Sequence, residues 1–265
     1  MGWEVIYSRK RLPKLQNAVL IEGMPGIGNV GKVTVDFIID ELKAKKLATF
    51  FSHSLPHSVF VNEKNLVELP TIELYFKERK GKQRDLLFLT GDVQPIDEQS
   101  TYSFVEKVLD IAQEFNVTEI IAVGGIGLPT EPKSPQVYCT GNNKELVEKY
   151  VKTTKVNQKL YGIVGPIVGV TGLLLGLSER REMPAVGLLA ETYGHPMYLG
   201  ITGAREVVKV INRKLGLKLN ISELDKEIRE IEAEMMKKTE ELGSVSKQSA
   251  INRLQGKLGD MNYIG

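Results

Sequence analysis

The residues best placed to do chemistry stand near the N-terminus, in Gly23-Met24-Pro25-Gly26-Ile27-Gly28-Asn29-Val30-Gly31-Lys32. Gly26, Gly28 and Gly31 have the spacing by which glycines let a backbone approach a pyrophosphate seated on a helix N-terminus. Gly26 with Gly31-Lys32 also matches most of a P-loop, whose lysine reaches phosphate oxygens. Each template then lacks a part. Val33 stands where the P-loop needs a magnesium-binding Ser or Thr, with Thr34 one residue late. The dinucleotide reading asks for an acidic residue at the tip of the second strand, and that tip reads Phe50-Phe51-Ser52-His53. Gly26, Gly28, Gly31 and Lys32 are therefore candidates for a nucleotide or phosphate ligand, against the plainer reading of a tight turn packed on neighbouring backbone.

Other reactive side chains are few. His53 and His57 flank Leu55-Pro56 after the second strand, and His195 follows the last strand. Pro56 breaks the helix that a metal-binding pair four residues apart would need, so no metal site is expected. The single cysteine, Cys139, excludes an internal disulfide and lies in an apolar segment, where burial would keep it an inert thiol. No Gly-x-Ser-x-Gly elbow occurs. Glu22, Asp92 and Glu191 are carboxylates at strand ends; they could share a cleft and divide acid–base roles, or simply bind turn amides. No catalytic group and no cofactor is expected.

The elements that would position these residues alternate. Val19–Ile21 reads as a buried strand and Val30–Leu42 as a helix with Val30, Val33, Phe37, Ile38 and Leu42 inward. Leu47–Ser52 is a second strand. Val59–Val61, Leu66–Leu69, Ile72–Lys77 and Asp85–Leu89 are short segments broken by polar turns, as in antiparallel hairpins inserted into a mixed sheet. A helix follows from Glu98 to Phe115, with Phe104, Val108, Ile111 and Phe115 on one face. Glu119–Val123 is a strand that runs into a Gly124-Gly125-Ile126-Gly127 turn. Val137–Thr140 reads as a strand, Asn143–Val151 as a short helix, and Val168–Leu177 as a buried helix. Pro184–Ala190 is the last strand, and Gly203–Leu215 an amphipathic helix. Strand and helix in this order predict a three-layer α/β domain over residues 1–217.

Bulk properties narrow the function. The 265 residues are 42% hydrophobic and 26% charged, ordinary for a folded domain with length left for an appendage. A formal net charge of +2 gives no electrostatic footprint for nucleic acid. The longest apolar run, Gly162–Leu177, is short for a membrane span and broken by glycines and Pro166, so no membrane is expected. The first residues lack the pattern of a signal peptide, and a cytoplasmic location is expected.

Residues 218–243 differ from the rest. From Asn220 the chain is charged and free of glycine until Gly243. Ile221, Leu224, Ile228, Ile231, Met235 and Leu242 keep an a/d heptad pattern, interrupted by Lys238, and Ser222 with Asp225 resembles a capping box. A helix of this length spans ~33 Å. Its narrow seam suits contact with another helix, in a second copy or a partner, or folding back on its own domain. Residues 244–265 read as a mobile tail.

Gly23–Gly31, then Gly91-Asp92-Val93-Gln94-Pro95, Gly124–Gly127, Gly169-Val170-Thr171-Gly172-Leu173-Leu174 and Glu191-Thr192 together resemble the PAC2 family, the proteasome assembly chaperones and their archaeal homologues. The resemblance spans roughly Gly2 to Leu215. It implies a fold like that of purine nucleoside phosphorylases without their catalytic set, self-association, and a non-catalytic role on proteasome subunits or another chaperone-like protein. Family members can end in a hydrophobic–tyrosine–any sequence that docks between α subunits of the proteasome core. Here the chain reads Asn262-Tyr263-Ile264-Gly265, with the tyrosine third from last and preceded by a polar residue. The expected partner-binding residues are Ile221, Leu224, Ile228, Ile231, Met235, Tyr263 and Ile264. The alternative is a nucleotide- or nucleoside-binding enzyme, phosphorylase- or ligase-like, acting at Gly26–Lys32.

Overall fold

The computed structural model describes residues 2–160, 162, 165–195, 198–221 and 226. The first core strand, β2 (Ala18–Gly23), is buried along its whole length, as its unbroken apolar run requires. It feeds helix α1 (Val30–Leu42), which keeps Val30, Val33, Phe37 and Ile38 buried and Leu42 half-buried. The other strands are β1 (Glu4–Tyr7), β3 (Lys45–Phe51), β4 (Phe60–Val61), β5 (Val67–Glu68), β6 (Ile72–Lys77), β7 (Leu86–Gly91), β8 (Val117–Leu128), β9 (Val137–Gly141) and β10 (Ala185–Tyr193). The remaining helices are α2 (Glu98–Glu114), α3 (Lys144–Thr153), α4 (Gly169–Glu179) and α5 (Ile201–Leu215).

Eight strands form one sheet in the order β1-β3-β6-β7-β2-β8-β10-β9, and β4 and β5 pair separately. The centre, β7-β2-β8-β10, is parallel. The flanking pairings are antiparallel: β6 and β7 are a hairpin inserted between β2 and β3, and β1 and β9 close the two edges against β3 and β10. Period-2 alternation sorts the two cores. Val19, Ile21, Leu86, Phe88, Ile121 and Val123 face one side, with α1, α3 and α5; Leu20, Leu87, Leu89, Ile120 and Ala122 face the other, with α2 and α4. The three-layer, mixed α/β expectation is met.

Two local readings need correction. Gly124–Gly127 is not a turn: it continues β8, with Gly124 opposite Leu189 and Gly125 opposite Ala190 of β10. Pairing with β10 at every residue keeps the segment extended despite its glycines. The N-terminal edge strand β1 was not legible in Trp3-Glu4-Val5-Ile6-Tyr7, whose alternation is only four residues long. It is fixed from outside, as Trp3 packs on Phe104 and Phe50 at ring separations of 4.6 and 6.5 Å.

The main domain also runs further than α5. Leu217 and Leu219 are buried in the α1/α5 core and Ile221 packs half-buried against it. The heptad residues from Leu224 onward, the Ser222–Asp225 cap and the tail with Tyr263 and Ile264 lie outside the described residues.

The sheet and α1 meet through glycine. A Cβ on Gly23 would stand 2.1 Å from the Gly31 carbonyl oxygen, and one on Gly31 would stand 2.5 Å from the Val123 carbonyl oxygen. Gly23→Ala is therefore expected to cost about 1–3 kcal/mol as overpacking. A melt followed by circular dichroism should fall by several degrees, and an unchanged melting temperature would refute this contact's role.

Candidate functional site

The five sequence segments that carried the resemblance meet at the C-terminal end of the parallel strands. There a cleft of about 410 Å³ is walled by Met24–Ile27, by Gly124–Gly127, and by Gly165–Val168 with Thr171. This is where an open α/β sheet offers a crevice to ligands.

The loop between β2 and α1 is built for close packing. Gly28 has φ +59°, and a Cβ there would stand 2.5 Å from the Thr192 hydroxyl. Its carbonyl accepts the Gly200 amide at 2.7 Å. Gly125 meets the Ile27 carbonyl, which an added Cβ would approach to 2.2 Å. Gly26, in contrast, is extended at φ −167° and faces open space. Of the candidate glycines, Gly26 and Gly31 line the cleft and Gly28 packs against Thr192 and Gly200.

Lys32 does not line the cleft. Its ammonium lies 2.8 Å from Asp36 and 3.9 Å from Asp92. Burial opposes its charge, yet Asp36, with Asp92 and Glu73, holds it above the ordinary lysine range. A P-loop lysine has to face phosphate; this one is committed to two carboxylates one helical turn and one strand away.

The strand-end carboxylates are not brought together as an acid–base pair. Asp92 accepts the amide and hydroxyl of Thr71, both at 3.1 Å. Glu191 accepts the Gln136 amide and the Tyr138 hydroxyl. Glu22, fully buried, accepts the Met24 amide at 3.0 Å and the Thr171 hydroxyl at 3.2 Å. Each is a structural acceptor for turn or helix-start groups, the plainer of the two readings.

Gln94 has a role that its sequence position did not announce. Its side-chain amide donates to the Pro25 carbonyl and its oxygen accepts the Val170 amide at 3.1 Å. It thus ties the glycine loop to the start of α4, while Glu22 ties the same two pieces from below. No local pattern could show this, since the partners lie 69 and 76 residues away.

The histidines are dispersed. His53 and His57 are exposed, and His195, also exposed, stacks on Tyr193 at 5.6 Å. Among the described residues no group of three or more His, Cys, Asp or Glu could hold a metal ion, and no helix is long and apolar enough to cross a membrane. Cys139 is buried, and burial pushes its thiol up to about 12.

The PAC2 family model matches residues 20–239. The chain belongs to the PAC2 family. It is 28% identical over 235 residues to the Methanocaldococcus jannaschii protein MJ1210, covering 88% of each chain. Among solved structures it is similar to Pyrococcus furiosus PbaB, an archaeal proteasome activator, at 33% identity and a TM-score of 0.78, covering 90% of this chain and 99% of that one. Pyrococcus furiosus PbaA, an archaeal homolog of proteasome-assembly chaperone, shares the fold at 23% identity and a TM-score of 0.71, covering 92% and 100%.

Glu22 gives the PAC2 cleft a pH signature. Burial, opposed by the hydrogen bonds from Met24 and Thr171, raises its carboxyl from 4.5 to about 7. The folded state then holds a proton that the unfolded chain releases near 4.5, so stability falls as pH rises through this window and levels off above about 7. Conversion of that interval gives up to about 3 kcal/mol. Melts of the Glu22→Gln variant between pH 4.5 and 8 should lack this component of the slope. A variant slope equal to the wild type's would show that Glu22 does not titrate there.

Proposed function

We propose that this protein is a non-catalytic assembly factor or adaptor that self-associates and binds protein partners, proteasome subunits or a related chaperone-like protein, through its C-terminal extension. The observation that carries the reading is the likeness to PbaB over nearly the whole of both chains, in a domain whose reactive groups are engaged in holding its own loops. PbaB is described as a proteasome activator and PbaA as a homolog of an assembly chaperone, so proteasome particles are the first partners to test. The extension supports the reading because its heptad pattern continues in the sequence beyond Ile221, which packs against the core that Leu217 and Leu219 enter. In such an adaptor the glycine loops serve compact folding, the protein works in the cytoplasm, and recognition falls to Leu224, Ile228, Ile231, Met235, Tyr263 and Ile264.

The test is co-elution with archaeal proteasome α subunits on size-exclusion chromatography with light scattering. The full chain is expected to shift into the proteasome fractions, and a chain ending at Ile221 to elute alone while still melting cooperatively. Absence of a shift for the full chain at every salt concentration would overturn the proteasome partner. Equal binding by the truncated chain would move recognition to the α/β domain.

One observation favours the enzyme reading: the cleft lies beside the first turn of α1, whose N-cap Asn29 makes no side-chain cap hydrogen bond. Free amides at a helix start attract phosphate. Under the adaptor reading, thermal-shift screens with nucleotides, nucleosides and phosphate leave the melt unmoved. A ligand at 100 times its dissociation constant would add about 2.7 kcal/mol, and such a response would revive the enzyme.

A further inference from the structure

At the end of the sheet opposite the cleft, three connections lie side by side: residues 8–17 between β1 and β2, residues 43–44 between α1 and β3, and residues 78–85 between β6 and β7. The strand register makes them neighbours, since Tyr7 is opposite Ala48, Lys45 opposite Phe76 and Lys77 opposite Leu86. Arg9 closes the group by lying over the Phe76 ring at 5.0 Å. The first connection carries Arg9, Lys10, Arg11 and Lys14, all exposed, and no acid. Lys43 and Lys45 are exposed at the second, and Lys80 and Lys82 at the third. Of the acids at this end, Asp85 is buried and accepts the Gln16 and Arg79 amides, which leaves Glu78, with Asp40 and Glu41 of the last turn of α1, beside this row of cations.

The chain beyond α5 departs from the same place. Arg79 donates to the Leu215 and Gly216 carbonyls at 3.0 and 2.9 Å, and the Asn220 amide meets a Glu41 carboxylate oxygen at 3.3 Å. Residues 222–235 then hold six acids and two bases, in a chain whose whole formal charge is +2. At helical spacing Glu223, Glu227, Glu230 and Glu234 fall within about 60° of one another around the axis, and the heptad residues Leu224, Ile228, Ile231 and Met235 lie about 100° further round. Like charges three and four residues apart oppose a helix, so this row gains from cations set against it.

We infer that residues 222–235 dock on the basic end of their own domain, with the four glutamates against the lysines and arginines of residues 9–14, 43–45 and 80–82. Tethering selects this occupant. The acidic stretch begins one residue past Ile221, and a short connection gives it an effective concentration on the order of millimolar, which a separate molecule would have to match. The length agrees as well. Fourteen residues rise about 21 Å as a helix, and the three strand spacings from β7 to β1 amount to about 14 Å. Exposed ion pairs are individually weak, so the contact depends on the whole row and is loosened by salt. The glutamate row lies on a different side from the apolar seam, so docking leaves the seam open to a protein partner. The inference thus adds an orientation of the arm to the adaptor reading and does not depend on it.

Hydrogen exchange of the full chain, followed by mass spectrometry, tests the docking. Peptides covering residues 222–235 should exchange about tenfold more slowly at ~0.01 M salt, where the Debye length is ~30 Å, than at ~1 M, where it is ~3 Å. Salt does not weaken a purely apolar helix contact, so equal rates, or slower exchange at high salt, would overturn the docking. In the Lys80→Glu/Lys82→Glu variant residues 222–235 should lose this protection while the amides of β2 and β8 keep theirs; protection that survives the change means the surface is wrongly assigned. If β2 and β8 open too, the variant is misfolded and the wild-type salt comparison decides. Carbodiimide coupling in a mixture of isotope-labelled and unlabelled chains identifies the domain that is contacted. Glutamate–lysine links should join peptides of the same isotope, and a statistical share of mixed pairs would place the contact on a second copy instead.

Discussion

The structure depends on how closely one helix start can approach a parallel sheet. Gly23 at the end of β2 and Gly31 in the first turn of α1 bring backbone against backbone, and Gly31 also leaves no room for a side chain beneath the Val123 carbonyl of β8. With that spacing α1 lies low on the sheet, and Val30, Val33 and Phe37 reach the core that α5 completes. A methyl group at either glycine would lift the helix and open the layer. The same requirement recurs at Gly28 and Gly125, which seat the 3-10 turn at Ile27–Asn29 between Thr192 and β8. Glycine spacing here is therefore set by packing, which explains why it imitates nucleotide motifs: both need a backbone that something can approach without a side chain in the way.

Lys32 shows where the imitation stops. In a phosphate site the cation and the helix-start amides converge on one anion. Here the amides border the cleft while the ammonium is drawn to Asp36 and Asp92 on another side of the helix. Asp36 is itself fixed by the Thr90 hydroxyl at 2.6 Å, and Asp92 by Thr71. The charge is consumed in joining α1 to the β6–β7 hairpin. Glu22 and Gln94 do similar work on the cleft's two walls, while the second Glu22 oxygen and the Thr192 hydroxyl stay buried there without a partner.

Much of this architecture was legible in sequence, and the limits were physical. Long periodic elements could be read because burial imposes their period; Val30–Leu42 and the helix from Glu98 match to within a residue. Gly124–Gly127 was misread because glycine signals a turn only where no neighbour pairs with it, and β10 pairs with every residue of this segment. The edge strand β1 is held by the aromatic contacts of Trp3, Phe50 and Phe104, which no local window contains. The contacts at the cleft were hidden for the same reason. That its motifs belong to one place could be inferred from their family resemblance, but Gln94 bridging Pro25 and Val170 could not.

The division of labour between domain and appendages follows from where unsatisfied surface remains. Inside the α/β domain Asp92 and Glu191 find donors, Glu22 finds them on one of its two oxygens, Lys32 finds carboxylates, and the two sheet faces are covered by helices. What the described domain leaves unfinished is the exposed apolar face of the β4–β5 ribbon and, beside the cleft, the second Glu22 oxygen and the Thr192 hydroxyl, both buried without a partner. A chain that works by holding other proteins needs exposed apolar surface on elements that project. Within the described residues the outer face of the β4–β5 ribbon meets that need, and the adaptor reading adds the heptad pattern of the C-terminal sequence.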